Sequence, residues 1–423
     1  MLKEGLERTL AQTRHLVSTI EKEEDDTHSF VKKKDSTVKF VVQYLDSPED
    51  NFPSLADIDK AHFVSTALPD INILSNAPMT YGEKPEANPD ASPVTASYKA
   101  NFIPGGLIFN MHLHHYSNDA TGWSNFTRQL ADNCYAIINN TPHPSFDAAS
   151  LDRSRFTSPV LPAESRVDAP PQADRHTDHR PSHALIFHLP KSKAAKLKKA
   201  ASPDDGSWIS TYDAVVGLMW RVMTRLREPL YKPDPTSKPI WIEGVNLTRR
   251  LTNPAMPERM QGNLCFATLS LMSPVPQPTI AEIVSAAPLS KLAGYTRQMT
   301  NGVTEELLGG ALQMLAPIRN KAGLSVRADS FPPGSLAVTD WRLSDVCTAD
   351  FGFSKPVAFR HLFDKVVSEG LVIVYPPRQG PAGEDEGMEL QMAFEKELTD
   401  QLINDPDWSK YFEFRGIDSH GRS

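Results

Sequence analysis

Cysteine is scarce. Cys134, Cys265 and Cys347 are the only three in 423 residues, too few and too scattered for a disulfide framework or a zinc motif of paired cysteines. Long apolar runs are missing as well. The greasiest stretches, Gly106 to Met111 and Leu371 to Tyr375, fall far short of the roughly 20 residues that span a membrane, so no membrane partner is expected. The opening MLKEGLERTL carries charges where a signal peptide has its apolar stretch, and a cytoplasmic location is the expectation. Basic excess is also absent: 44 Lys and Arg face 52 Asp and Glu, a formal charge of −8, which argues against a nucleic-acid partner held by phosphate contacts. Proline, by contrast, is plentiful at 35 residues, and points to long ordered loops rather than a helical bundle. With 40% hydrophobic and 23% charged residues the chain has material for a sizeable core. Its length suits two or three compact units, or one fold built from two halves.

Periodicity alternates between helix and strand. Leu2, Leu6, Leu10, Leu16, Val17 and Ile20 recur at helical spacing and predict an amphipathic helix over residues 2–24. Thr37 to Tyr44 and Phe102 to His114 read as strands, the latter interrupted by Pro104-Gly105-Gly106. Helices are expected over 122–139, 191–201 and 213–227, the last capped by Ser210 or Thr211. Further strands are expected at 184–189, 241–247, 263–272, 335–340, 370–375 and 388–394, a helical stretch over 280–322, and a final helix near Leu398 to Ile403. From Leu151 to Pro181 no period survives, and such a stretch is too long for an ordinary connection. The pattern favours a mixed α/β architecture.

Two clusters carry chemistry. In Met111 to Gly122 three of the 13 histidines fall within four positions, directly after a strand. His112 and His114 share one strand face, whereas His115 opens the turn and points elsewhere. A histidine there can act as general base on an alcohol. The alternatives are a packed histidine satisfied by backbone, or a metal pair from His112 and His114, for which no third ligand is suitably spaced. The second cluster is Thr339-Asp340-Trp341-Arg342-Leu343 with Asp350-Phe351-Gly352-Phe353-Ser354-Lys355-Pro356. Glycine between two aromatics marks a tight bend, and Asp350 before it can accept backbone N–H bonds. Taken alone, this cluster reads as a structural turn.

Together the clusters resemble the BAHD family of acyl-CoA-dependent acyltransferases, and among them a fungal branch of trichothecene 3-O-acetyltransferase-like proteins. His115 to Asp119 fits HxxxD, and Asp350 to Ser354 resembles DFGWG. Ser210 to Ala214 with Trp220-Arg221 resembles STxDA…WR. Asn246 to Leu251 with Gly262-Asn263 resembles DxRxRL…GN, and Thr339 to Trp341 resembles TSW. HxxxD alone is weak evidence; five landmarks in the family's order are strong. Three departures stand out: Ala120 replaces a common Gly, Phe353-Ser354 replaces Trp-Gly, and the chain starts directly on a helix where such proteins usually carry a strand first.

The resemblance implies two chloramphenicol-acetyltransferase-like α/β halves with a solvent channel between them. The boundaries are 1–152 (carrying HxxxD), a crossover linker 153–182, and 183–423 (carrying DFGFS). It further implies that His115 takes a proton from an acceptor hydroxyl or amine while that group attacks the thioester of acyl-CoA, acetyl-CoA first among donors. No metal, no permanently bound cofactor and no covalent acyl-enzyme is required. Asp119 is expected to turn away and pair with Arg250, with Arg249 the rival. Asp350 and Gly352 are expected to be structural, Thr339 and Trp341 to line the acceptor side, and Lys355 to meet a CoA phosphate. A fungal secondary metabolite is the expected acceptor, and a monomer the expected state. Two rival readings remain: a condensation-domain-like enzyme that forms amides from a carrier-bound donor, and a non-catalytic binding protein of the same fold.

Overall fold

The computed structural model describes residues 1–77, 88–321, 324, 327–363 and 365–421. The first half runs α1 (Leu2–Gln12), β1 (Thr19–Lys22), β2 (His28–Val31), β3 (Phe40–Tyr44), α2 (Leu55–Lys60), β4 (Ala96–Ile103), β5 (Gly106–Leu113) and α3 (Ala120–Asn139). After residues 140–181 come β6 (Ser182–Leu189), α4 (Lys191–Ala201), α5 (Thr211–Tyr231), β7 (Trp241–Asn246) and β8 (Cys265–Leu269). Then follow α6 (Ile280–Val284), α7 (Leu289–Gly302), α8 (Glu305–Leu315), β9 (Leu336–Asp340) and β10 (Leu371–Tyr375). The chain ends with β11 (Met388–Glu395), α9 (Thr399–Asn404), α10 (Pro406–Ser409) and β12 (Glu413–Ser419).

The architecture is mixed α/β. A seven-stranded sheet has the order β12-β6-β11-β10-β9-β7-β8. Within it β9 lies parallel to both its neighbours, and the other pairs are antiparallel. Ser210 caps α5 through a box in which its hydroxyl accepts from Asp213 N–H and its own N–H donates to Asp213. That helix is buried against the sheet: Trp220 lies 5.0 Å from Trp241, and both rings are fully buried. Removing such side chains from water is worth roughly 1.5–3 kcal/mol each, which makes this face the main anchor of the second half. The first half is built on a three-stranded sheet, β3-β4-β5. Leu6 and Leu10 of α1, Tyr98 of β4, and Phe126 and Leu130 of α3 form its core. Ala349 and Phe351 reach back from the far part of the chain into that same core.

Several elements depart from the sequence reading. The expected helix over 2–24 stops at Gln12, because Thr19–Lys22 pairs with His28–Val31 as a hairpin; sheet pairing of a β-branched stretch outweighs its helical spacing. The strand expected across 102–114 is two antiparallel strands, β4 and β5, folded about Gly105 at φ +75°. The helical stretch 280–322 is three shorter helices, and residue 322 lies outside the described residues. β12 was not foreseen at all. Its partner β6 is in register only through two irregularities, which blurs the alternation that betrays a strand.

The halves are tied by charge as well as by packing. Arg378 pairs with Asp59 at 2.8 Å, Arg360 donates to the carbonyl of His62 at 2.9 Å, and Asp418 accepts from Ser65 N–H at 2.7 Å. No helix among the described residues is long and apolar enough to cross a membrane.

Candidate active site

β5 delivers the chain into a tight turn. His114 N–H donates to Thr95 O, the carbonyl of His114 accepts from both Ser117 N–H and Ser117 Oγ, and His114 Nδ1 accepts from Tyr116 N–H. His112 and His114 are thereby buried, while His115 at the apex is exposed. The three imidazoles thus divide two to one, as decided by the alternation of the strand and the closing of the turn. Among the described residues no three His, Cys, Asp or Glu side chains gather to hold a metal ion.

Asp119 ends the turn and starts α3. Its Oδ1 accepts from Thr121 N–H (2.9 Å) and Gly122 N–H (3.1 Å), an N-cap, and its Oδ2 accepts from Leu264 N–H at 2.6 Å. Burial pushes the carboxyl up, while these N–H groups and the nearby His115 pull it back. The expected ion pair with Arg250 does not form. Arg250 donates instead to the carbonyl of Val303 at 2.9 Å, and Arg249 is exposed. The loop 261–264 takes the place assigned to the arginine: its backbone supplies the third donor to Asp119. Asn118 accepts from Gly262 N–H at 2.7 Å, and Asn263 donates to the carbonyl of His115 at 2.9 Å. Ala120 is the first helical residue of α3, with no left-handed backbone, so the family's glycine is not needed there.

Opposite lie Thr339 and Trp341 at the end of β9. The Trp341 indole N–H donates to Thr339 Oγ1 at 2.8 Å. Gly244 of β7 lies between Thr339 and Cys265: a Cβ built on it would be in ordinary contact with the threonine oxygen at 3.7 Å and the thiol at 3.5 Å. Cys265 is exposed and feels the charge of Asp119. Trp341 packs edge-on to Trp123 of α3 (6.3 Å) and beside His361 (6.1 Å), and His361 in turn feels the charge of His115. These proximities link one end of β9, the first turn of α3 and the His115 turn around a common space. Cys265, His361 and Trp123 had no signal of their own in the sequence; the Gly262-Asn263 landmark was the only pointer to the loop behind them.

The late motif lies elsewhere. Asp350 Oδ1 accepts from Gly352 N–H at 2.8 Å, closing the bend, and Gly352 has φ +83°. A Cβ at Gly352 would lie 3.0 Å from Tyr135 Cα and 3.1 Å from Ile138 Cβ. Tyr135 is fifteen residues along α3 from Ala120, so at 1.5 Å per residue this loop is roughly 22 Å from the His115 turn. Lys355 is exposed at the rim of an apolar cavity of about 650 Å³ that runs along β5 between residues 55–77 and 351–362. His115, Thr339 and Trp341 do not line that cavity; Phe359 and His361, packed on Trp341, do.

The class of protein to which this α/β fold belongs is given by comparison with known proteins. Residues 1–404 match the profile described as the Transferase family, so the chain belongs to that family, the BAHD acyltransferases, and is an acyltransferase. It is similar to acetyltransferase FGR3 of Gibberella zeae, 51% identical over 420 residues, covering 99% of this chain and 84% of that protein. It is also similar to trichothecene 3-O-acetyltransferase TRI101 of Fusarium sporotrichioides, 24% identical over 442 residues, covering 98% and 89% respectively. Its fold matches that of F. graminearum TRI101 complexed with coenzyme A and T-2 mycotoxin, with TM-score 0.78 at 20% identity, covering 98% and 91%.

Proposed function

We propose that the protein transfers an acyl group, acetyl first among donors, from coenzyme A to a hydroxyl of a small fungal secondary metabolite, with His115 as general base. The observation that carries this is the state of that one side chain. His115 stands exposed at the apex of a turn tied down by hydrogen bonds on both sides, near a second imidazole, His361, that packs beside Trp341. Relatives named as acetyltransferases and solved structures holding coenzyme A support the donor class.

In this reading His115 removes the proton as the acceptor oxygen attacks the thioester carbonyl. The tetrahedral oxyanion receives the Thr339 hydroxyl hydrogen. The indole N–H of Trp341 already donates to that hydroxyl oxygen, which orients and polarises it toward the developing charge. Collapse expels CoA thiolate, reprotonated by the imidazolium. Asp119 is not the third member of a relay: both its oxygens accept backbone N–H groups, so its role is to hold the turn. Asp350 and Gly352 shape a remote loop, and Lys355 on the cavity rim is the proposed contact for a CoA phosphate.

The test is acetyl-CoA consumption with a panel of alcohols by the parent and His115→Ala. The expected loss is roughly 10²–10⁴ in kcat at an unchanged thermal midpoint, because the ring is exposed. A His115→Ala enzyme within a few-fold of the parent would end the proposal.

A further inference from the structure

One ring beside the site has no part in the chemistry above. His361 lines the apolar cavity of about 650 Å³, a size ordinary for a small-molecule pocket. Around it are Ile108, Phe109, Phe359 and Leu362. The imidazole stacks on Phe363 at 4.0 Å and is 6.1 Å from Trp341, which locates it where the cavity meets the reacting groups. Its Nδ1 is sealed from solvent and has no hydrogen-bond partner. Part of the residue stays accessible, so the ring can meet a ligand only through Nε2. Polar groups facing apolar walls are normally satisfied; Nδ1 is out of reach, and a hydroxyl in the cavity would supply the partner of Nε2.

We infer that His361 determines acceptor specificity, its Nε2 hydrogen-bonding a second hydroxyl on a largely apolar alcohol whose first hydroxyl is presented to His115. The inference rests on the acyl-transfer reading and names the acceptor class for it. Burial and the charge of His115 lower the ring to about 4, so it is neutral near pH 7 and can accept as well as donate. A cation there would oppose protonation of His115 during turnover; a neutral ring does not. Phe359 stacks on Trp123 at 4.4 Å and bounds the same space, so His361 stands beside an aromatic wall in a cavity whose lining also includes Asn110, His112 and Arg360.

The experiment uses a decalin diol and the decalin mono-alcohol lacking its second hydroxyl, with acetyl-CoA as donor. Parent, His361→Phe and His361→Gln are compared for acetyl transfer, and by calorimetry for binding of each alcohol without donor. The parent should prefer the diol by roughly tenfold to a hundredfold in KM. His361→Phe, which keeps the stack, should level the two alcohols while kcat and the KM for acetyl-CoA hold, and His361→Gln should restore part of the preference. Where the Phe variant fails to fold, His361→Leu replaces it. A diol preference that survives loss of the imidazole, or a parent that binds the two alcohols equally, overturns the inference. If the parent transfers no acetyl, a binding preference that vanishes in the Phe variant upholds the role of His361, while the acyl-transfer reading alone is lost.

Discussion

Replacing Asp119 by alanine removes three hydrogen bonds at once, and they differ in kind. Two cap α3, and loss of such a cap costs about 1 kcal/mol, within roughly 0.5–2. The third, at 2.6 Å, satisfies the buried N–H of Leu264 in the other half of the molecule; an orphaned buried donor costs roughly 1–3 kcal/mol. The sum is about 2–4 kcal/mol. Relief from burying a carboxylate, visible in its raised pKa, moves the expectation toward the lower end. Asn at 119 can keep the cap through its carbonyl, but its amide hydrogens then face the Leu264 N–H, so Asp119→Asn should fall between parent and alanine.

Urea unfolding followed by tryptophan fluorescence measures these losses, with activity normalised to folded protein. The decisive comparison is a double-mutant cycle with Arg250→Ala. An ion pair would show strong coupling, since removing one partner of a buried pair costs roughly 3–5 kcal/mol. The structure, with Arg250 donating to Val303, requires additivity within about 0.5 kcal/mol. A coupling above roughly 1 kcal/mol between positions 119 and 250 would refute the geometry described for this turn, as would an Asp119→Ala protein with parental stability.

Other changes give distinct readouts. Thr339→Val keeps the shape of the side chain but deletes the proposed oxyanion donor, so kcat should fall by roughly 10²–10³ with little change in KM for either substrate; parental turnover would exclude that role. Gly352→Ala forces a left-handed residue at φ +83° and a Cβ at 3.0 Å from Tyr135 Cα; it should cost roughly 1–3 kcal/mol of stability and leave kcat of the folded fraction alone. Glu243, buried between the Tyr212 and Thr300 hydroxyls, is raised by burial from 4.5 to about 7. Between those values the folded chain keeps a proton that the unfolded chain has lost, so this stabilisation is complete below pH 4.5 and is lost as pH rises through 7. The span is about 3 kcal/mol, and Glu243→Gln should flatten it and exceed the parent in stability at high pH; an unchanged slope in urea titrations at several pH values would contradict it.

Elements whose stability is local were legible. α4 follows its expected bounds, and α5 starts at Ser210, one of the two caps read for it, because cap and amphipathic stripe lie within a few residues of one another. Elements stabilised by distant chain were not. β1 exists because Thr19–Lys22 finds His28–Val31, and β12 exists because β6 offers an edge more than two hundred residues earlier; neither fact is written in the local period. The same division runs through the site. The exposure of His115 follows from strand alternation ending in a turn, a local matter. His361 and Cys265 come to the site only through the docking of residues 351–362 and of β8, so no spacing rule could nominate them.

The partner of Asp119 shows why a motif match is weaker than it looks. A carboxylate at the end of a catalytic turn needs its charge compensated, and the sequence offered Arg249 and Arg250 in a familiar place. Compensation can equally come from backbone dipoles: the first turn of a helix presents free N–H groups, and Asp119 sits where α3 must begin. With two such groups supplied locally, a single further donor suffices, and Leu264 N–H gives it across the interface of the halves. A side-chain cation would then be superfluous and costly to bury. The residue thus does two jobs through hydrogen bonds alone: it starts the helix behind His115, and it fastens that turn to the half of the molecule carrying Thr339. Misplacing either end of that tie displaces the proposed base relative to the proposed oxyanion donor, so the spacing between histidine and aspartate is constrained even though the aspartate never touches the imidazole's proton.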